Sequence, residues 1–154
     1  MSYVTKTLQP GETVIYQTRL HWIIYSPSIM VFIVGALTFA KSYRVNDPGL
    51  ATMIGPIGIA IMIFAVILAF RAWMKSITTE MAITNRRVVV KSGFIWRRTI
   101  EMERQKVESV FVDQSILGRL LGYGTLTLRG TGSTFEPMFH IDSPLEFRNK
   151  LLAG

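Results

Sequence analysis

Two long apolar stretches, separated by a short polar loop, dominate the hydropathy pattern of this chain. Leu20 to Ala40 contains no Lys, Arg, Asp or Glu, and neither does Leu50 to Phe70. As α-helices, runs of this length extend about 31 Å, which matches the hydrocarbon thickness of a bilayer. A surface helix of a soluble protein carries a polar face, which both stretches lack. The pattern therefore predicts a hairpin of two transmembrane helices, spanning about residues 22–40 and 50–70.

Beyond Phe70 the continuous apolarity gives way to short alternating segments, which predict β-strands separated by turns. The predicted strands are Thr79–Thr84, Val88–Val90, Phe94–Met102, Val107–Val112, Thr125–Leu128 and Phe135–Ile141, with a further strand before the hairpin at Glu12–Leu20. One or two helical turns are predicted at Ile116–Leu121. The chain is therefore expected to be an α+β protein with seven strands.

A C-terminal helix is predicted from its start signals. Ser143 is a candidate N-cap, Pro144 suits the first helical position, and Glu146 has the spacing of a capping box. Asp113 and Ser115 are likewise expected to form a turn or a helix cap, because short polar side chains of this kind bond to nearby backbone groups. An apolar side of this C-terminal helix is expected to cover one face of the sheet.

Small residues recur in both predicted spans, where they let helix backbones approach closely. They are Gly35, Ala36 and Ala40 in the first span and Ala51, Gly55 and Gly58 in the second. Two interpretations remain open at this stage. The small residues either pack the two helices of one hairpin or pack helices of neighbouring subunits.

The charge distribution predicts the orientation of the hairpin. The net charge is +7, and most of the Lys and Arg residues follow Phe70. Because basic segments stay on the cytoplasmic side, both termini are expected in the cytoplasm, with the chain in the inner membrane as a multi-pass protein. The basic residues are scattered and match no nucleic-acid-binding motif, so no nucleic-acid partner is expected.

Catalytic chemistry has little support in the residues present. There is no cysteine, which excludes disulfides and thiolate nucleophiles. Of the two histidines, His21 is expected as an interfacial ring and His140 as a sheet residue. We therefore predict no catalytic residue, cofactor, metal site or small-molecule substrate.

Basic residues around the hairpin and in two arginine pairs are the candidate contacts. They are Arg19, Arg71, Lys75, Arg86, Arg87, Arg97 and Arg98. One interpretation is that these residues only confer solubility and set topology. The other is that they contact anionic lipid headgroups or a partner protein.

Several turn motifs resemble those of membrane-anchored bacterial pleckstrin-homology (PH) domain proteins, which include small YdbS-like members. The motifs are Leu8-Gln9-Pro10-Gly11-Glu12, Arg19-Leu20-His21-Trp22, Ile83-Thr84-Asn85-Arg86-Arg87 and Leu120-Leu121-Gly122-Tyr123-Gly124-Thr125. The resemblance implies a seven-stranded antiparallel bent sheet capped by a C-terminal helix. It further implies that residues 1–21 supply the first strand, residues 22–70 an inserted hairpin and residues 71–154 the remainder. The insertion replaces the loop that holds phosphates in phosphoinositide-binding members, so no phosphate-binding motif carries over.

Together these features favour a non-catalytic interaction or scaffold module at the cytoplasmic membrane face. Membrane lipids are expected neighbours, and the module is expected to self-assemble or to bind a membrane protein. The alternative is a module that senses or handles anionic lipid. Both readings depend on the two uncharged stretches lying in a bilayer.

Overall fold

The structure is a computed structural model that describes residues 7–93, 98–131, 133–134 and 137–153. The chain forms two compact units. One contains Met1–His21 together with Lys75–Gly154, and the other is Trp22–Met74. The second unit interrupts the first in sequence.

Two long helices account for the second unit. A 3₁₀ turn at Trp22–Tyr25 leads into α1, Ser26–Ser42, and α2 follows at Pro48–Thr78. Mean hydropathy reaches 2.0 over Trp22–Ser42 and 2.6 over Pro48–Thr78, so both helices are long and apolar enough to cross a membrane. Residues 71–78 contain no glycine or proline, so α2 continues beyond the predicted span to Thr78.

The connection between the helices ends in Asn46-Asp47-Pro48-Gly49, a sequence that favours a turn, but the structure differs. Asp47 Oδ1 accepts a hydrogen bond from the Gly49 backbone nitrogen at 2.8 Å. This is the arrangement of a capping residue, and Pro48 occupies the first helical position, where its missing N–H costs nothing. Pro48 and Gly49 therefore begin α2 instead of ending the loop.

Glycines lie where α1 and α2 meet. A Cβ atom at Gly58 would come within 2.6 Å of the Phe39 backbone nitrogen, and one at Gly35 within 2.9 Å of the Met62 nitrogen. A Cβ atom at Gly55 would lie 3.6 Å from Ser42 Oγ, which is an ordinary contact distance. The hairpin itself therefore uses Gly35 and Gly58 for close backbone approach. Of the other small positions, Ala36 and Ala51 are half-buried and Ala40 is exposed.

The first unit contains two antiparallel sheets. In the first sheet, β1 (Val14–Thr18), β2 (Glu80–Thr84), β3 (Arg87–Ser92) and β4 (Arg98–Glu103) pair in that order. In the second, β6 (Tyr123–Gly130) pairs with β5 (Val107–Asp113), β7 (Ser133–Thr134) and β8 (Met138–Asp142). The helix α3, Ile116–Leu121, connects β5 to β6, and α4, Pro144–Leu152, follows β8.

The mixed helix and sheet architecture is confirmed, with differences in detail. Over the described residues the strands divide between two sheets, where one bent sheet was expected. Residues 94–97 and 135–136, which belong to predicted strands, lie outside the described chain. The capping box at Ser143 is wrong: its side chain makes no capping bond, and Ser143 has a left-handed φ of 48°. Glu146 instead accepts a hydrogen bond from the Tyr16 hydroxyl at 3.2 Å.

The segment that follows β1 joins the two sheets. The backbone nitrogen of Asp142 donates to the Arg19 carbonyl at 3.0 Å, and that of His21 donates to the His140 carbonyl at 2.7 Å. Leu20 and Ile141 form an antiparallel bridge between these bonds. The chain thus pairs first with β2 and then with β8, just before it enters the hairpin.

Alternating strand residues and one face of α4 fill the core of this unit. Fully buried members are Met81, Ile83, Val88, Leu126, Leu128, Ile141 and Phe147. Phe147 of α4 packs edge-on against Tyr16 of β1, with ring centroids 6.1 Å apart. The C-terminal helix therefore covers the apolar face, as the sequence predicted.

A buried ion pair ties the segment before β1 to the β2–β3 hairpin. Arg87 Nε and Nη2 donate to the two carboxylate oxygens of Glu12, each at 2.8 Å. The hydroxyl of Thr84 and the backbone nitrogen of Gln9 donate to the same carboxylate at 2.8 Å. All four bonds favour the ionised form of Glu12, and those from Arg87 contribute most. Together they lower the pKa of Glu12 to about 2, although burial of the carboxylate opposes this shift.

Gly58→Leu is expected to destabilise the hairpin by about 1–3 kcal/mol, because the new side chain meets the α1 backbone. The measurement is the free energy of unfolding in mixed detergent micelles. Ala40→Leu is the control, since Ala40 is exposed on α1. Loss of self-association with an unchanged unfolding free energy would instead place Gly58 at a contact between subunits.

Glu12→Gln is expected to cost about 3 kcal/mol at pH 7, because the Arg87 guanidinium loses its buried counter-charge and keeps only the partly exposed Glu101. The measurement is denaturant unfolding followed by circular dichroism. Glu101→Gln is the matched control: Glu101 pairs with the same arginine, but its side chain is 39 % exposed. We expect this control to cost less than about 1 kcal/mol.

The same ion pair predicts how the free energy of unfolding changes at acidic pH. The pKa of Glu12 falls from an ordinary 4.5 to about 2 on folding. Its contribution is therefore complete above pH 4.5 and is lost as the pH falls towards 2, which amounts to about 3 kcal/mol. Glu12→Gln should remove this part of the acid dependence, and an unchanged acid limb in the variant would contradict the assignment.

Candidate functional site

An apolar groove with two basic residues lies in the first unit. Its volume is about 220 Å³. Its apolar lining comes from Leu20, Val90, Ile100, Met138, Phe139 and Ile141, and Lys75 and Arg98 contribute the cationic groups. The groove therefore combines an apolar surface with positive charge, which is the chemistry that receives an anionic amphiphile.

Different parts of the chain position the two basic side chains. Lys75 lies near the end of α2, five residues before β2 begins at Glu80. Arg98 is the first residue of β4 and pairs with Ser92 across the β3–β4 register. Because β2, β3 and β4 are neighbours, the start of β2 and the start of β4 reach the same end of the sheet. Two of the seven candidate contacts are thus brought together.

Three rings cluster beside this groove. The ring of Tyr123 lies 5.3 Å from that of His21 and 6.0 Å from that of His140. His21, expected as an interfacial ring, is instead buried within the first unit, with 8 % of its surface exposed. His140 belongs to β8, as the sequence predicted, and adopts a left-handed φ of 60°.

Burial chiefly lowers the pKa of His140, and the positive charge of Lys75 adds to the effect. An imidazole with a lowered pKa is neutral at pH 7. The ring of His140 therefore packs beside Tyr123 without a formal charge at that pH. Since His140 and Lys75 interact electrostatically, the cluster and the cationic edge of the groove share one end of the unit.

The Arg86–Arg87 pair lies in a different place. Arg86 is exposed in the β2–β3 turn, at the opposite end of β2 from Glu80. Arg87 points inward and binds Glu12, Glu101 and the Thr7 carbonyl. The guanidinium of Arg87 is therefore engaged within the fold, and Arg86 alone of this pair presents its charge to solvent.

A wider open cavity of about 780 Å³ surrounds Arg86. Glu101 and Glu103 line it together with Arg86, Arg87 and Arg104, so charges of both signs are present. Arg104 donates to the carbonyls of Lys150 and Leu151 at 2.8–3.0 Å and caps the C-terminus of α4. This cavity therefore lacks the uniform positive charge that an anionic ligand requires.

The remaining candidate contacts are dispersed. Arg19 is exposed after β1, Arg71 is exposed on α2, and Arg97 lies outside the described residues. Sequence reasoning missed the apolar lining of the groove and the partners of Arg87 and Arg104. The sequence marks Glu12 only as a charged residue beside the Pro10-Gly11 turn. No local pattern indicates that its partner is Arg87, which lies 75 residues away.

The described residues contain no group of three or more His, Asp or Glu side chains arranged to hold a metal ion. Several polar side chains of the first unit make hydrogen bonds that stabilise its helices and turns. Ser115, for example, accepts a hydrogen bond from the Gly118 nitrogen at 3.0 Å and caps α3, as its sequence context indicated.

Comparison with known proteins places the chain in a family. A family model described as the bacterial PH domain matches residues 28–154, which is most of the chain. Searches of curated proteins and of solved structures returned no match. The matched region includes nearly all of α1, the whole of α2, strands β2 to β8 and α4, whereas β1 precedes it. The two antiparallel sheets with α4 are compatible with a PH-like fold. This chain therefore belongs to the bacterial PH domain family.

Proposed function

We propose that this protein is a non-catalytic interaction or scaffold module, anchored in the bacterial cytoplasmic membrane by its helical hairpin. PH domains are in general interaction modules without catalytic activity, and this family membership supports the functional class. The observation that carries the membrane anchor is the exposure of the hairpin. Phe32, Leu37 and Phe64 are each at least 48 % exposed, on helices that bury few residues.

Exposure of this kind is unfavourable in water. Each buried Å² of apolar surface stabilises a soluble protein by about 25 cal/mol, so a soluble hairpin would bury these side chains. In a bilayer the same side chains contact lipid tails, and close glycine contacts hold the helices together. The packing of Gly35 and Gly58 within the hairpin agrees with this arrangement.

The orientation follows from the charges that flank the helices. A hairpin places both ends of the chain on one side of the membrane. Arg71 near the end of the second span and the basic residues of the first unit, Lys75 among them, are expected on that side. The other end of the hairpin carries Lys41, Arg44 and Asp47. The larger positive cluster favours a cytoplasmic location for the first unit.

A protein partner, including a second copy of the chain, has a sheet edge available. Over the described residues β4 pairs with β3 alone, so its outer edge presents backbone groups that can extend a sheet. Five of the six β4 residues are exposed or half-buried. Strand addition at this edge is the mode of interaction that the fold supports.

A cysteine-free chain allows one variant to test both orientation and assembly. Ala153→Cys lies at an exposed position after α4. It should react with a membrane-impermeant maleimide only after cells are opened, because the first unit faces the cytoplasm. Donor- and acceptor-labelled copies mixed in vesicles should then show energy transfer, because copies associate.

Excess unlabelled protein is the control, and it should abolish a specific energy transfer. Labelling in intact cells would contradict the orientation. Absence of transfer at every protein-to-lipid ratio would exclude self-assembly and leave a different membrane protein as the partner.

The groove beside Lys75 and Arg98 favours a second function, which is recognition of anionic lipid. Two cations beside an apolar surface provide charge for a phosphate group and contact area for the adjoining chain. A module of this kind would respond to the lipid composition of the membrane that anchors it.

Lys75→Gln with Arg98→Gln should reduce the retention of anionic lipid by up to about 30-fold, because each cation near a negative surface is worth about 1 kcal/mol. The measurement is native mass spectrometry of protein released from nanodiscs that contain anionic and zwitterionic lipid. Arg86→Gln with Arg129→Gln is the matched control, since it removes the same charge from exposed positions outside the groove. Equal losses in both double variants would show a general charge effect without a site.

A further inference from the structure

The helix α3 exposes an apolar surface that the proposed function does not use. Ile116 is 87 % exposed and Leu120 is 80 % exposed, and these residues lie one helical turn apart. Leu117 at 61 % and Leu121 at 39 % extend the same surface. Large aliphatic side chains at this degree of exposure, contiguous on one short helix, mark a surface that contacts something apolar.

The fold holds α3 beside the point where the chain enters the hairpin. A Cβ atom at Gly118 would lie 2.6 Å from the Tyr123 carbonyl oxygen, so α3 packs directly on the Tyr123 backbone. The ring of Tyr123 in turn lies 5.3 Å from that of His21. His21 is bonded covalently to Trp22, the first residue of the hairpin unit.

The position of α3 is also fixed firmly. Ser115 caps its N-terminus, and Gly122 ends it in the left-handed conformation with φ 81°. Gln114 donates to the Tyr123 carbonyl at 3.0 Å and braces the connection from β5. The apolar side chains are therefore presented by a rigid support.

We infer that α3 inserts its apolar side chains into the cytoplasmic surface of the lipid bilayer and serves as a second membrane contact for the first unit. The inference rests on the proposed membrane anchor, because the hairpin brings the bilayer surface to His21. Ile116, Leu117, Leu120 and Leu121 enter the boundary between headgroups and acyl chains, as in other interfacial helices.

Charge and size favour lipid over protein as the occupant. The only charged residue of α3 is Arg119, which suits an anionic headgroup layer. The neighbouring acid is Asp113 at the end of β5, which precedes the helix and is not part of the apolar surface. Four aliphatic side chains supply far less than the roughly 800 Å² that each partner of a stable protein interface buries.

A second contact has a physical consequence for the first unit. A domain held only by its connections to two helices is free to rotate, whereas a second lipid contact fixes which surfaces face the membrane. The groove at Lys75 and the outer edge of β4 would then have defined orientations relative to the lipid.

Fluorescence quenching by spin-labelled lipid tests the inference on the full chain in vesicles of neutral and anionic phospholipid. Each introduced cysteine is unique and carries an environment-sensitive fluorophore. Leu120→Cys should show blue-shifted emission and loss of fluorescence when the spin label is on the upper acyl chain. Leu152→Cys, which is 64 % exposed on α4, is the matched control and should remain unquenched.

A third variant separates this inference from the proposed anchor. Leu37→Cys on α1 reports whether the hairpin lies in lipid. Quenching at Leu37→Cys without quenching at Leu120→Cys would overturn the α3 inference while the anchor stands. Quenching at neither position would overturn the anchor as well.

Two other outcomes also decide the question. Quenching of Leu120→Cys only by a headgroup spin label would show proximity to the membrane without insertion and would overturn the inference. Disulfide-linked dimers of unlabelled Leu120→Cys, without acyl-chain quenching of the labelled protein, would mean that a second copy covers the surface and would also overturn it.

Discussion

The pairing of Glu12 with Arg87 is the contact on which the PH-like unit depends. The hairpin separates β1 from β2 in sequence, so β1 must be held by interactions across a long insertion. Four hydrogen bonds from Arg87, Thr84 and Gln9 satisfy the buried carboxylate, and Arg87 also binds the Thr7 carbonyl. Since an unpaired buried charge is costly, loss of either partner destabilises the cluster. It therefore anchors the start of the chain to the β2–β3 turn.

The second constraint is the path of the chain after β1. Pairing with β2 ends at Thr18, and pairing with β8 begins at Arg19. The same short segment thus closes the two sheets against each other and delivers the chain to the hairpin at Trp22. The hairpin leaves and re-enters at one end of the unit, where Lys75, the ring cluster and α3 also lie. The functional surfaces that we propose are consequences of this arrangement.

The chemistry of the two ends of the unit differs in a way that bears on function. At the end with the β2–β3 turn, Arg87 is paired with carboxylates and Arg104 caps α4, so both stabilise the fold, while Arg86 is exposed to solvent. At the hairpin end, Lys75 and Arg98 border an apolar groove, and α3 exposes aliphatic side chains. Apolar and cationic groups together suit a membrane interface, whereas the opposite end suits water. This difference between the two ends is the one that the proposed membrane anchor predicts.

Local pattern was enough to predict the two apolar helices, most of the strand segments along the chain and the closing helix. Each of these depends on the polarity of neighbouring residues, and the absence of charge over Leu20–Ala40 and Leu50–Phe70 is read directly from the chain. The tertiary structure alone decided that Arg87 is engaged by Glu12, that Lys75 and Arg98 share a groove and that His21 is buried. The reason is that these outcomes depend on contacts between residues far apart in sequence, where hydrophobic periodicity carries no information about which charges meet.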